Sequence, residues 1–213
     1  VHWSIEMIQA LKKPVSFDQF LEWYPENSEF RYELRRGVIV KVPKPRGKHS
    51  DIAGFLSIEA GILIRQLNLP FFVPKECVVK VDQIEDEGES AYEPDGIVLD
   101  RREIANEPRW EKSSAIENSK TIKLIIEVVS TNWRDDYHTK FAAYEALGIP
   151  EYWIVDYAAL GGRRFLGNPK QPTVWVCELV EGEYQMTPFR GNDRIISPTF
   201  PELQLTAAQA FQA

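Results

Sequence analysis

Apolar positions recur along this chain with two different periods, and the switches between them predict its elements. Between residues 49 and 69, Ile52, Phe55, Leu56, Ala60, Leu63, Ile64 and Leu67 recur close to every 3.6 residues, which predicts a long amphipathic helix. A shorter helix is expected from Ser16. Ser at the cap with Gln19 three residues on makes a capping-box pattern ahead of Phe17, Phe20, Leu21 and Tyr24. It should stop near Pro25. Residues 135–147 predict a third helix, closed by Gly148 with Pro150 just behind it, and Thr206 opens a short terminal one. Residues 30–34 and 38–42 flank Arg36-Gly37, and residues 173–179 and 184–189 flank Glu181-Gly182; both arrangements read as hairpins. Residues 71–81 and 94–99 read as single strands. The runs at 122–129 and 151–156 are nearly all apolar, as expected of strands buried on both faces. Between the elements lie an acidic, exposed connection at 82–90, a polar irregular stretch at 100–119 and a glycine-containing loop at 158–172.

The strand–helix–strand piece over 122–156 implies a parallel pair with a right-handed crossover, because two parallel strands need a long return. With antiparallel hairpins on either side, the fold class is α/β: a mixed central sheet flanked by helices, with added hairpins. No internal repeat and no Gly/Ser linker divides the 213 residues, so one domain over 1–213 is expected. A chain of this size buries roughly 70% of its unfolded surface and needs no disulfide or structural metal to fold. No apolar run approaches the ~18 residues of a membrane span, so no membrane association is expected. The opening segment, VHWSIEMIQALKKP, has no signal-peptide architecture and no initiator Met, which suggests a trimmed or partial start.

Charge narrows the function classes. A net charge of −7 argues against a protein that coats nucleic acid through bulk positive field. It is compatible with an enzyme that has an acidic metal site and confines its basic residues to one groove. Cys77 and Cys177 lie far apart and outside any CxxC pair, so they read as buried free thiols in a reducing cytoplasm.

Two carboxylates stand out. Glu127 interrupts the apolar run LIIEVVS, and Asp95 follows Pro94 at the head of GIVLD. A buried carboxylate costs several kcal/mol unless it is paired or metal-bound, and two on neighbouring strands repel each other. A hard divalent cation relieves both problems. The plainer alternatives are a buried salt bridge for Glu127 and a turn residue after proline for Asp95.

Together with their surroundings these residues resemble a known family. The ordered set is Tyr32-Glu33-Leu34 with Gly37, the helix start His49-Ser50, EPDGIVL at 93–99, LIIEVVS at 124–130, Asp135-Asp136 with Lys140 and Tyr144, and GIPEYWIVD at 148–156. It resembles the Uma-two family of putative restriction endonucleases, within the PD-(D/E)XK nuclease superfamily, over most of the chain. The resemblance implies a restriction-endonuclease-like core and a Mg²⁺-dependent, DNA-cleaving site, with Mn²⁺ as a possible substitute. Asp95, Glu127 and the backbone carbonyl of Val128 would hold the metal. The chain departs from the superfamily pattern at one point. The lysine expected two residues after Glu127 is Val129, and Lys140 on the next helix is the candidate replacement. Tyr144 lies one helical turn after it and Asp136 one turn before. Glu33 is a further candidate ligand, although a hairpin salt bridge to Arg35 or Arg36 explains it equally well. His49 could contact phosphate or water.

The remaining residues are weaker candidates. Lys41, Lys44, Arg46 and Lys48 form the best run for DNA phosphate contacts, with Arg163-Arg164 second. His138 reads as a surface residue and Asp156 as a loop cap. Three scattered histidines make a zinc site improbable. No Walker loop, GxGxxG or GxSxG motif is present. The leading expectation is a metal-dependent DNA endonuclease. Against it stand a non-catalytic nucleic-acid-binding or assembly protein that retains the fold, and a hydrolase of small phosphoesters. Cutting both strands of a duplex is simplest with a homodimer, for which Trp3, Trp23, Trp110 and Trp133 are candidate exposed anchors.

Overall fold

The computed structural model describes residues 14–25, 28–81 and 88–213. In chain order its elements are α1 (Phe17–Trp23), β1 (Arg31–Arg35), β2 (Val38–Val42), α2 (Gly47–Gln66), β3 (Phe71–Phe72), β4 (Val78–Val81), β5 (Ser90–Tyr92), β6 (Gly96–Asp100), α3 (Trp110–Ser113), β7 (Ala115–Ile116), β8 (Ile122–Val128), α4 (Lys140–Leu147), β9 (Glu151–Asp156), α5 (Arg163–Leu166), β10 (Thr173–Val180), β11 (Glu183–Phe189) and α6 (Ala207–Gln212). The chain sorts into two compact units, each drawn from separated stretches. The first comprises Val1–Pro45, Glu76–Glu93 and Glu107–Glu117, so far as those residues are described; the second comprises Arg46–Lys75, Pro94–Asn106 and Asn118–Ala213.

The first unit carries a five-stranded sheet in the order β2-β1-β5-β4-β7. The expected hairpin joins β1 to β2, with Arg36 and Gly37 both at positive φ (51° and 72°). Glycine is required here for a second reason: a Cβ at position 37 would lie 2.3 Å from the Pro14 side chain. Helix α1 has the predicted capping box, with Ser16 Oγ accepting from the Gln19 N–H at 3.2 Å and Gln19 Oε1 accepting from the Ser16 N–H at 3.0 Å. Phe17 and Phe20 then fall on the face that packs with Val15, Leu34, Ile39, Ala91 and Ala115. Ser16→Ala is expected to cost about 1 kcal/mol in thermal or urea unfolding, the usual worth of an N-cap.

The second unit carries a six-stranded sheet in the order β11-β10-β9-β8-β6-β3. β8 and β9 are parallel, as the strand–helix–strand pattern predicted, with Ile125 opposite Tyr152. Helix α2 lays Ile52, Leu56 and Ala60 on a core shared with Leu124, Ile126 and Val128 of β8 and Trp153 and Val155 of β9. Strand alternation therefore turns Ile125, Glu127 and Val129 to the opposite face. The mixed α/β architecture matches the fold class expected from sequence.

Several local expectations need correction. Residues 71–81 are not one strand: β3 pairs with β6 in one sheet, while β4 pairs with β5 and β7 in the other. Pro74 stands between them and has no N–H for a ladder. Residues 100–119 are not wholly irregular, because α3 and β7 lie within them. Of the acidic connection, residues 82–87 lie outside the described residues. At its end Ser90 is a buried strand residue, and Glu89 pairs with Lys80 at 2.9 Å. The 158–172 loop holds the short helix α5. The helix expected over 135–147 opens with a π turn, Asp135–Thr139, in which the Lys140 N–H bonds to the Asp135 carbonyl five residues back.

Asp156 caps the loop after β9 as expected. Its carboxylate accepts the Leu160 and Gly161 N–H groups, each at 2.8 Å, and the Tyr137 hydroxyl at 3.2 Å, in a fully buried position. Removing that carboxylate strands its donors, so Asp156→Ala is expected to cost about 3 kcal/mol in chemical denaturation. Cys77 and Cys177 are buried free thiols, and burial pushes both well above the usual thiol range. Trp23, Trp110 and Trp133 are half-buried rather than exposed. Trp23 stacks among Phe20, Tyr24 and Tyr32, and Trp133 packs on Tyr137. Trp3 lies outside the described residues. Among the described residues no helix is long and apolar enough to cross a membrane.

Candidate active site

The site is built where two adjacent strands of the second unit bring acids together. β6 runs antiparallel to β8 with Gly96 opposite Ile126, so Asp95, one residue ahead of β6, falls level with Glu127. Glu127 is 2% exposed and points away from α2, toward the segment that follows β8. There Lys140 Nζ lies 2.9 Å from Glu127 Oε1, as the candidate replacement lysine should, and the Tyr144 hydroxyl donates to the same oxygen at 2.8 Å. Lys140 and Tyr144 are four residues apart on α4 and so share a face. Val129, two residues after Glu127, is buried and carries no charge, which leaves Lys140 as the ammonium at Glu127.

The π turn supplies a third acid. Asp136 is buried, and the Tyr152 hydroxyl donates to its backbone carbonyl at 3.0 Å. The Tyr152 ring meets that of Tyr144 edge-on at 5.1 Å. Burial pushes the Asp136 carboxyl well above the usual range; Lys140 pulls it back, while the charges of Glu127, Asp95 and Asp135 push it further up. Three acids therefore share one electrostatic environment with one ammonium.

Asp95 is held by the backbone and by α2. Its Oδ2 accepts the Val128 N–H at 2.9 Å and lies 3.2 Å from His49 Nε2 in the first turn of α2. Burial alone would lower the His49 imidazole. The hydrogen bond and charge of Asp95, a backbone bond to Val128 and the charge of Glu127 outweigh that and raise it above its ordinary value. His49 thus belongs to the same cluster rather than to the surface.

The donor set suits a hard cation. Asp95, Glu127 and the Val128 carbonyl offer only oxygen, the preference of Mg²⁺ or Mn²⁺. Among the described residues no three His, Cys, Asp or Glu side chains converge as a ready-made ligand cage. Mg²⁺ does not need one, since it binds through one or two carboxylates and keeps waters and substrate phosphate oxygens for the rest. The residues present fit such an ion in kind.

Other candidates lie elsewhere. Glu33 belongs to the first unit, where its Oε2 takes both Nε and Nη2 of Arg35, at 3.0 and 2.7 Å. This is the hairpin ion pair that was its alternative reading. Of the basic run, Lys41 and Lys44 fall in the first unit and Arg46 and Lys48 in the second. Lys41 Nζ sits 3.0 Å from the centre of the Phe30 ring, and Lys48 Nζ donates to the Ala213 carbonyl at 2.7 Å. His138 is exposed, as expected, against Arg164 Nη2 at 3.2 Å. Tyr152 escaped the sequence reading. The signal for it was its place in EYWIVD: in a strand parallel to β8 it alternates with Trp153 and so shares the Glu127 side of the sheet.

Comparison with known proteins bears on this arrangement. A family model described as Uma2, "Putative restriction endonuclease", matches residues 17–208. Among solved structures the chain is similar to a putative nuclease belonging to DUF820 from Anabaena variabilis ATCC 29413. The two share 20% identity with a TM-score of 0.67, over 93% of this chain and 98% of that one, a likeness of fold. No curated protein matches. The family match runs from α1 into α6 and takes in Asp95, Glu127, Lys140 and Tyr144 on the way, so the chain belongs to the Uma2 family of putative restriction endonucleases.

Proposed function

We propose that this protein is a metal-dependent endonuclease that hydrolyses phosphodiester bonds in DNA, with Mg²⁺ or Mn²⁺ as cofactor. The observation that carries the reading is that Asp95 and Glu127 fall level on adjacent strands, each beside a base: Lys140 Nζ lies 2.9 Å from Glu127 Oε1 and His49 Nε2 lies 3.2 Å from Asp95 Oδ2, with the buried Asp136 as a third acid. Family membership and the fold of the DUF820 neighbour support the same reading. Asp95, Glu127 and the Val128 carbonyl would hold the cation, which when bound polarises the phosphodiester and lowers the pKa of a bound water. Lys140 offsets the negative charge that builds on phosphate and attacking oxygen, and it can hold that water by hydrogen bonding. Tyr144 fixes the orientation of Glu127, and His49 that of Asp95.

Lys41, Lys44, Arg46 and Lys48 would contact DNA phosphates. The two units act as one domain, which their interleaved chain segments favour. The protein works as a homodimer in a reducing cytoplasm, where two free thiols persist. The buried Val129 favours a second reading, a nucleic-acid-binding or assembly protein that retains the fold without catalysis. Plasmid cleavage with Mg²⁺ or Mn²⁺ separates the two. Calorimetry is expected to show one divalent ion bound per chain, and Asp95→Ala to abolish that binding. Undiminished binding in both Asp95→Ala and Glu127→Ala would make the carboxylates structural.

A further inference from the structure

Helix α2 is apolar on two sides. One side, Ile52, Leu56 and Ala60, is spent on the core of the second unit. On the other side Ile58 is 62% exposed, the most exposed large apolar side chain among the described residues, and Ile62 is 36% exposed. At 3.6 residues per turn, Asp51, Gly54, Phe55, Gly61, Ile62 and Arg65 all fall within about 60° of Ile58 around the axis. Nothing lies within 4 Å of where a Cβ at Gly54 or Gly61 would sit, so both glycines leave open notches on this face. Asp51 and Arg65 are exposed and bracket it.

The positions are symmetric about Ile58. Asp51 lies seven residues before it and Arg65 seven after; Gly54 lies four before and Ile62 four after; Phe55 lies three before and Gly61 three after. We propose that α2 docks antiparallel on α2 of a second copy of this chain, about a two-fold axis at Ile58. That packing sets Ile58 on Ile58. It brings each Asp51 to the level of Arg65 of the second copy, and each Ile62 to the level of a Gly54 notch. Bulk meets gap and charge meets opposite charge, as an isologous interface requires. The contact spans about 21 Å, or four helical turns. On one flank the face continues into a groove of about 660 Å³ of mixed lining, where Phe55, Ile62 and Leu63 face Leu203 and Leu205 among Glu and Gln side chains. A helix face of this size fits a modest, micromolar dimer.

The inference rests on the dimer reading above and not on the metal chemistry. Its test is sedimentation of the full chain across a micromolar concentration range, with four variants. Ile58→Asp is expected to weaken the dimer by about a hundredfold with an unchanged circular dichroism spectrum. Asp51→Arg is expected to weaken it by roughly tenfold, and Asp51→Arg with Arg65→Asp to restore it. Ile58→Cys is expected to form a disulfide-linked dimer on mild oxidation, because a residue on the axis meets itself and both native thiols are buried. A dimer that Ile58→Asp leaves intact and Ile58→Cys does not cross-link would overturn this interface alone. A wild-type chain that stays monomeric would overturn the dimer reading with it. Neither outcome touches the cleavage assay.

Discussion

Glu127→Gln is expected to lower Mg²⁺-dependent DNA cleavage by about a thousandfold or more while the chain stays folded, which is what loss of a preorganised charge at a phosphoryl site typically costs. Asp95→Asn should behave alike. The amide keeps the shape of the carboxylate and retains an oxygen for the Tyr144 hydroxyl, so the 2.8 Å bond that Glu127 accepts survives the substitution. What is lost is charge, at a position 2% exposed to water, where charge has a greater effect than at the surface. If Glu127 were only the partner of Lys140, the same substitution would alter stability and leave cleavage untouched. The measurement is a single-turnover rate on supercoiled plasmid beside an unfolding curve for each variant. Cleavage within tenfold of wild type in a folded Glu127→Gln protein would remove Glu127 from the site.

Lys140→Met is the second large effect, and it should appear in stability as well as in activity. Lys140 Nζ stands 2.9 Å from Glu127 Oε1 and counters the acid around Asp136. Its removal leaves buried negative charge without that counterweight, which typically costs 3–5 kcal/mol, or about 4 kcal/mol here. The cost depends on pH in a defined direction. Burial and the neighbouring acids raise the Asp136 carboxyl above its ordinary value in the folded chain, and losing Lys140 raises it further. The folded state therefore binds that proton more tightly than the unfolded state. The resulting stability is complete below the unfolded value of about 3.9 and is lost as pH rises through the folded one. The variant's deficit should then be small in mild acid and largest in mild alkali. Chelator-treated protein should show the full deficit, and millimolar Mg²⁺ should recover part of it through binding to the folded state. A deficit that is flat with pH and indifferent to Mg²⁺ would mean that Lys140 does no more than pack.

Much of this was written in short-range chemistry. The capping box at Ser16 set its helix from four residues. At Arg36-Gly37 and Glu181-Gly182 both turn residues take positive φ, and glycine at the second position does so at little cost. Glu127 was conspicuous because an acid in an apolar strand demands a partner. Lys140 and Tyr144 were legible as a pair because i and i+4 share a helix face whatever that face meets.

What they meet was decided only by the tertiary structure. Residues 71–81 read as one strand because β-propensity carries no record of which sheet a residue joins; that choice depends on partners distant in the chain. The π turn at Asp135–Thr139 has no local signature here, yet it carries Asp136 into the buried cluster and Lys140 to the head of α4. Glu33 and Glu127 are both acids within strands of similar length. One finds Arg35 two residues away on its own strand, and the other finds Lys140 across a crossover. Sequence determined which side chains would be expensive to bury. Long-range strand pairing, and the helix it brings overhead, determined which groups were near enough to offset that expense.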